Sequence, residues 1–371
     1  MWPSVVGGGP APSLRRTASG IFLGYVKSQG ENVRASLDVI GFGAMNLDEI
    51  AVVPRIVVDG ETRIRELRRR PGGSAANTVY ALAKLGMATG YVGAVGDDTA
   101  GQSLGEDLAK VGVDTSHLSI KHGDPTGFVW AIADAANRSL YVYPGANDLL
   151  GRQDVHLSSL AQARVVHLSS FVNPRQLALQ VWAVRQLPPS VKISFAPGSL
   201  YAERGIAALR PILKRTTVLF LNGDEARLLT RRKGVRSSAE VLLRLGCRMV
   251  VITLGAGMEV PSAERRAPRG KKQTVRAVCF VTDGRVEEIV PPIVRGRRAV
   301  ESVGAGDAFA AGFLYGLLKD RPLRDCACLG QIVAHCSLRA PGAREGLPTL
   351  RELRQAYRRH FGSAPISLPT G

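Results

Sequence analysis

The stretch Glu301-Ser302-Val303-Gly304-Ala305-Gly306-Asp307-Ala308-Phe309-Ala310-Ala311-Gly312 carries small residues directly into a helix-forming run. Its pattern predicts a helix over residues 305–318. The first N–H groups of a helix have no partner inside it and its dipole end is positive, so such a turn can receive an anion. Gly304, Ala305 and Gly306 let a phosphate come close to the backbone, and Asp307 falls in the first turn beside it. A carboxylate there can take a proton from an attacking hydroxyl while the N–H groups steady a transferring phosphoryl group. An ordinary glycine turn capped by an aspartate fits the same residues equally well.

Outward from this turn, short apolar runs alternate with helical periodicity. Residues 38–43 end an apolar run in glycines, and strands are expected near 90–95, 165–168, 192–195, 218–221 and 249–254. Helices are expected near 74–85, 101–111, 176–185, 237–245 and 329–338. This alternation predicts a mostly parallel sheet covered on both faces by helices. Two β-prone pairs interrupt it, one over 50–67 turning at Asp59-Gly60 and one over 128–143 turning at Asp134 to Arg138. They predict a small accessory sheet, either a cover over a cleft that excludes water or an edge extension without that role.

The 371 residues, 45% hydrophobic, suffice for a sizeable core. No apolar run approaches the roughly 20 residues needed to cross a bilayer. Five cysteines, odd in number and scattered, read as reduced thiols of a cytoplasmic protein. The net charge of +18 raises nucleic acid as a partner. The basic residues are dispersed, however, and carry no aromatic-rich RNA motif, zinc finger or basic zipper, so an Arg-rich surface and an anionic small-molecule partner are the preferred reading. Residues 1–35, with Gly7-Gly8-Gly9-Pro10, read as a disordered extension, 36–361 as the folded domain and 362–371 as a tail.

Three further segments carry chemistry. Pro71-Gly72-Gly73-Ser74-Ala75-Ala76-Asn77 places glycines before a helix start, where a ligand can lie on the backbone and Asn77 can meet hydroxyls. Asn222-Gly223-Asp224-Glu225 follows a strand, where ligands gather in α/β sheets, and suits either a metal–nucleotide complex or a helix cap. Thr253-Leu254-Gly255-Ala256-Gly257 is a glycine turn after another strand that can admit a nucleotide; it is not a Walker loop.

These segments, in this order, resemble the PfkB/ribokinase family of carbohydrate and nucleoside kinases over about residues 36–361, as does Asn46-Leu47-Asp48. The resemblance implies an α/β fold, a Rossmann-like three-layer α/β/α sandwich of the ribokinase type with a small β-sheet lid near 50–67 and 128–143. It implies an ATP-dependent kinase that phosphorylates a hydroxyl of a sugar or nucleoside by direct in-line transfer, a catalytically silent ligand-binding relative being the alternative. At matched positions it implies Asp307 as base and Gly304, Ala305 and Gly306 as an anion hole. It places Asn46, Asp48, Gly72, Gly73 and Asn77 around the substrate. Asn222 and Glu225 would organise Mg²⁺ and ATP, Glu225 reaching the metal indirectly, and Thr253 and Gly255 would line the nucleotide site. Segments such as Tyr143-Pro144-Gly145-Ala146-Asn147 are similar to the nucleoside kinases of the family, for which Phe128, Trp130, Tyr141 and Tyr143 offer aromatic surface.

Several residues depart from the pattern. Glu301 stands where Asp is usual and puts a monovalent-cation site in question, Ala196 replaces an Asp before Pro197-Gly198, and Met258 replaces a glycine of the nucleotide turn. Residues 263–275 read as a basic insertion. A homodimer through the lid strands is left open.

Overall fold

The structure, a computed structural model, describes residues 37–135, 137–261, 272–282, 286–289 and 303–361. The expected N-terminal extension, residues 263–271 of the basic insertion expected over 263–275, Glu301 and the tail from 362 lie outside the described residues, while 272–275 are strand. The strands are β1 Val39–Phe42, β2 Leu47–Val52, β3 Glu66–Pro71, β4 Thr89–Gly96, β5 Leu118–Lys121, β6 Phe128–Ala133, β7 Arg138–Tyr143, β8 Val165–Ser169, β9 Lys192–Ala196, β10 Thr216–Asn222, β11 Met249–Pro261, β12 Lys272–Thr282 and β13 Val286–Ile289. The helices are α1 Ser74–Lys84, α2 Thr99–Lys110, α3 Leu157–Gln162, α4 Pro174–Gln186, α5 Gly198–Ala202, α6 Gly205–Leu213, α7 Gly223–Thr230, α8 Val235–Arg244, α9 Ala305–Leu318, α10 Leu323–Ser337 and α11 Leu350–Phe361.

Nine strands form one sheet in the order β13-β12-β11-β10-β9-β8-β1-β4-β5. It is parallel from β11 to β5, and β12 and β13 extend it antiparallel. Strand side chains alternate between two apolar layers. Val39, Tyr91, Val165, Val218 and Val251 face α1, α2, α9, α10 and α11. Ile40, Val92, Val166, Leu219 and Val250 face α3 to α8. Burial on both faces explains why these strands read as continuous apolar runs. Each fully buried Leu or Phe in these layers, such as Leu82 or Phe313, contributes about 1.5–3 kcal/mol.

The second sheet has the order β3-β2-β6-β7. Both expected hairpins are there, β2 with β3 and β6 with β7, joined by a parallel β2–β6 pairing. The first hairpin differs from its sequence reading. Residues 53–65 form a loop rather than strand ends, because Pro54 has no N–H to continue the ladder. The loop is held by Val53 N–H on the Ala133 carbonyl and Ile56 N–H on Asp134 Oδ2, at 2.9 and 3.0 Å. β11 also departs from expectation. Instead of turning at Gly255 it runs on to Pro261, with its pairing to β12 shifted between Thr253 and Met258 where Gly255 takes φ 55°.

His167 on β8 is fully buried, with Nδ1 2.8 Å from Ser194 Oγ on β9. Burial pushes its pKa down to about 4. The folded protein therefore resists a protonation that the unfolded chain accepts near pH 6.5, and stability falls as pH drops from about 6.5 to 4. The full loss is about 3 kcal/mol. Urea unfolding across that range should show a shallower decline for His167→Gln than for the wild type, and equal slopes would remove His167 as the source.

Candidate active site

The glycine turn and the glycine pair of the sequence meet at the N-termini of two packed helices. Ser74 opens α1 and Asp307 lies in the first turn of α9. Ser74 Oγ donates to Asp307 Oδ1 at 2.7 Å and Asn77 Nδ2 donates to Asp307 Oδ2 at 2.9 Å. Each carboxylate oxygen thus has one donor and lone-pair capacity left over. Burial pushes the Asp307 carboxyl above the usual carboxylate range, while the Ser74 and Asn77 hydrogen bonds and the Arg344 charge pull it back.

Two glycines hold these helix starts together. Gly73 has φ 99°, and a Cβ on it would collide with the Ala44 carbonyl oxygen. Gly304 takes the left-handed φ of 73°, and its Cβ would collide with Ala343. Neither position tolerates a side chain. Gly306 is different: among the described residues a Cβ there would meet nothing within 4 Å. Among the described residues no side chain caps α9, and the first bond back to the cap is Ala308 N–H to the Gly304 carbonyl at 2.9 Å. The N–H groups of 305–307 therefore lie ahead of the helical ladder, beside Asp307.

A cavity of about 420 Å³ opens above Asp307, lined by Asn46, Asp48, Gly73, Ser74, Asn77 and Gly304 among others. Its roof is the inner face of the small sheet: Ile50 from β2, Val129 and Ala131 from β6, Leu140 and Val142 from β7. Asn147 fixes the neighbourhood of Asn46. It accepts from Met45 N–H at 3.0 Å and donates to the Met45 carbonyl, Asn46 Oδ1 and the Pro144 carbonyl at 3.0, 3.0 and 2.8 Å. Gly72 lies behind the cavity. Its N–H bonds the Asn46 carbonyl at 2.8 Å, and a Cβ on it would strike the Asp48 carboxylate.

The aromatic residues expected to offer a flat binding surface face the other way. Alternation puts Phe128, Trp130, Tyr141 and Tyr143 on the outer face of the small sheet, and none of them lines the cavity. Trp130, Tyr141 and Tyr143 are 54%, 60% and 45% exposed. Trp130 Nε1 donates to Glu49 Oε2 at 2.6 Å, and Phe128 stacks on Tyr143.

Asn222 and Glu225 form a reciprocal cap on α7. Asn222 Oδ1 accepts from Asp224 and Glu225 N–H at 2.9 and 2.8 Å, and Glu225 Oε2 accepts from Asn222 N–H at 2.9 Å. Burial pushes the Glu225 carboxyl up, and the Asp307 charge adds to the rise, which places this cap electrically next to Asp307. Thr253 pairs with Asn222 in the β10–β11 register, its Oγ1 3.4 Å from the Leu221 carbonyl, and Gly255 is exposed. None of these four residues lines the cavity. Among the described residues no three His, Cys, Asp or Glu side chains cluster to hold a metal by themselves.

Ser74, Asn147 and Arg344 were not singled out as site residues in the sequence. Ser74 and Asn147 sit inside quoted motifs, whereas Arg344 follows Gly342 in an unremarkable turn. The five cysteines are buried and stand outside any disulfide, and among the described residues no helix is long and apolar enough to cross a membrane.

The pfkB family carbohydrate kinase profile matches residues 36–258 and 271–350. A sugar kinase of uncharacterised specificity from Archaeoglobus fulgidus is 32% identical over 267 residues, covering 72% of this chain and 98% of the relative. A ribokinase from Haemophilus influenzae is 25% identical over 332 residues, covering 86% and 97%. In structure, ribokinase from Giardia lamblia superposes with a TM-score of 0.74 at 21% identity, covering 88% and 99%, and an archaeal nucleoside kinase from Methanocaldococcus jannaschii with 0.70 at 21%, covering 88% and 99%. The chain belongs to the pfkB family of carbohydrate kinases and has the three-layer ribokinase-type fold. It is an ATP-dependent phosphotransferase that acts on a hydroxyl of a sugar or nucleoside.

Removing the Asn147 side chain leaves buried donors and acceptors unpaired, each costing about 1–3 kcal/mol. Asn147→Ala should therefore lower unfolding stability by at least that amount in urea. Unchanged stability would show that the four bonds are replaced by water.

Proposed function

We propose that the protein transfers the γ-phosphoryl group of ATP directly to a hydroxyl of the bound acceptor, with Asp307 as base. The observation that carries this reading is the Asp307 carboxylate on the cavity floor, held by two donors and flanked by the N–H groups that open α9. The acceptor O–H gives its proton to Asp307 as its oxygen bonds to the γ-phosphorus. The bond from that phosphorus to the β–γ bridging oxygen breaks, and ADP leaves. Gly304, Ala305 and Gly306 present backbone N–H to the charge that builds on the phosphoryl oxygens. Asn46 and Asp48 face the acceptor, and Asn77 reaches it through Asp307.

ATP is placed along the ends of β10 and β11, near Asn222, Glu225, Thr253 and Gly255. Mg²⁺ would be held by the phosphates, with Glu225 acting through its water shell, and it would neutralise charge that the N–H groups alone do not. Residues 36–361 are assigned to the kinase domain, a division supported by the family profile, which begins at residue 36. The buried cysteines, outside any disulfide, support a reducing compartment, the cytoplasm. The exposed aromatic strip on the outer lid face supports pairing with a second copy there.

Asp307→Asn should cut kcat about 10²- to 10⁴-fold, the range for a positioned general base. ADP release would be followed against a panel of nucleosides, sugars and phosphosugars. Retained turnover in that variant would overturn the base assignment. Excess chelator should abolish turnover, and activity without a divalent ion would sink the magnesium claim.

A further inference from the structure

Arg344 carries a full charge yet is only 4% exposed. It lies between α10 and α11, far in sequence from the three groups its guanidinium bonds. Its Nε donates to Asn77 Oδ1 at 2.9 Å, one terminal nitrogen donates to Asp107 Oδ2 at 2.7 Å, and the other donates to the Gly72 carbonyl at 3.3 Å. The guanidinium also stacks over Tyr80, 5.0 Å from the ring centre. Partners from α1, α2 and the glycine pair thus hold it in one orientation.

We propose that Arg344 is a positioning residue for phosphoryl transfer, locking the Asn77 amide so that its NH₂ group is aimed at Asp307. The inference rests on Asp307 being the base. Arginine has donors and no acceptor, so the Asn77 atom facing it must be the oxygen. The nitrogen must then face Asp307, as the 2.9 Å contact shows. Without Arg344 the amide is free to turn over. Its oxygen would then confront the Asp307 carboxylate, an arrangement that only a protonated carboxyl can satisfy. Lysine would keep the charge but cannot hold Asn77, Asp107 and the Gly72 carbonyl in one plane.

The ionised base is opposed and supported from several sides. Ser74 and Asn77 donate from α1, and Thr78 of the same helix touches the Asp307 carbonyl at 3.5 Å. Glu225 opposes the charge from α7 and Asp48 shares the cavity from the lid. Arg344 favours it, with Asp107 and Glu345 beside the guanidinium. The base loses activity as pH falls through its pKa, so loss of Arg344 moves the acid limb of kcat/KM to higher pH.

The test compares pH–rate profiles of wild type, Arg344→Met, Arg344→Lys and Lys121→Met. The last breaks the largely buried Lys121–Asp154 pair, 2.7 Å apart, and reports destabilisation alone. Arg344→Met should lower kcat roughly 10- to 100-fold, the range seen when a group that orients a functional side chain is lost. Its acid limb should rise while KM for ATP holds, Arg344→Lys should fall between it and wild type, and Lys121→Met should leave the limb in place. If Arg344→Met does not fold, Arg344→Lys carries the same readouts. An acid limb and kcat unmoved in both Arg344 variants, or a limb moved equally in Lys121→Met, would overturn the proposal. If Asp307→Asn is inactive while the Arg344 variants match wild type, only the positioning role fails; if Asp307→Asn is active, the base assignment fails and the inference with it.

Discussion

The site depends on the meeting of two helix starts. Ser74 and Asn77 of α1 each donate to one oxygen of Asp307 in the first turn of α9. A carboxyl group buried without donors would simply protonate, because desolvation disfavours its charged form. The two hydrogen bonds and the Arg344 charge counter that push. Gly73 and Gly304 allow the approach, one by accepting a positive φ under the Ala44 carbonyl and the other by capping α9 in the left-handed region against Ala343.

The small sheet divides its labour by strand alternation. Its inner face gives the cavity an aliphatic roof and a single acid, Asp48. Its outer face keeps Trp130, Tyr141 and Tyr143 in solvent. The same strands therefore line the cavity on one side and present aromatic surface on the other. The cavity thus has an apolar roof over a polar floor of Asn46, Ser74, Asn77 and Asp307. The Arg70–Glu345 pair, 3.1 Å apart, ties the end of β3 to the turn that carries Arg344.

Two readings that competed at Asn222 and Glu225 are compatible. The residues are a reciprocal helix cap, and the cap is close enough to Asp307 for the two carboxyl groups to feel each other. A cap of this kind also fixes the direction in which Glu225 can act, since one of its oxygens is committed to the Asn222 N–H.

Much of this was legible in the sequence. The apolar runs of β1, β4, β8, β9 and β10 announce a doubly covered parallel sheet, because strands buried on both faces need no polar alternation. The glycine turns before Ser74 and Asp307 announce helix starts open to an anion, because that property is local to the backbone. The sequence also marked the two hairpins, but not that 53–65 would be loop or that β11 would run past Gly255. Only the tertiary structure decided which lid face the aromatics occupy, since a shift of one residue in register exchanges the faces. It alone brought Arg344 to Asn77 across 267 positions. No local propensity records such a contact, because what selects it is the charge and hydrogen-bond capacity of groups that only folding places together.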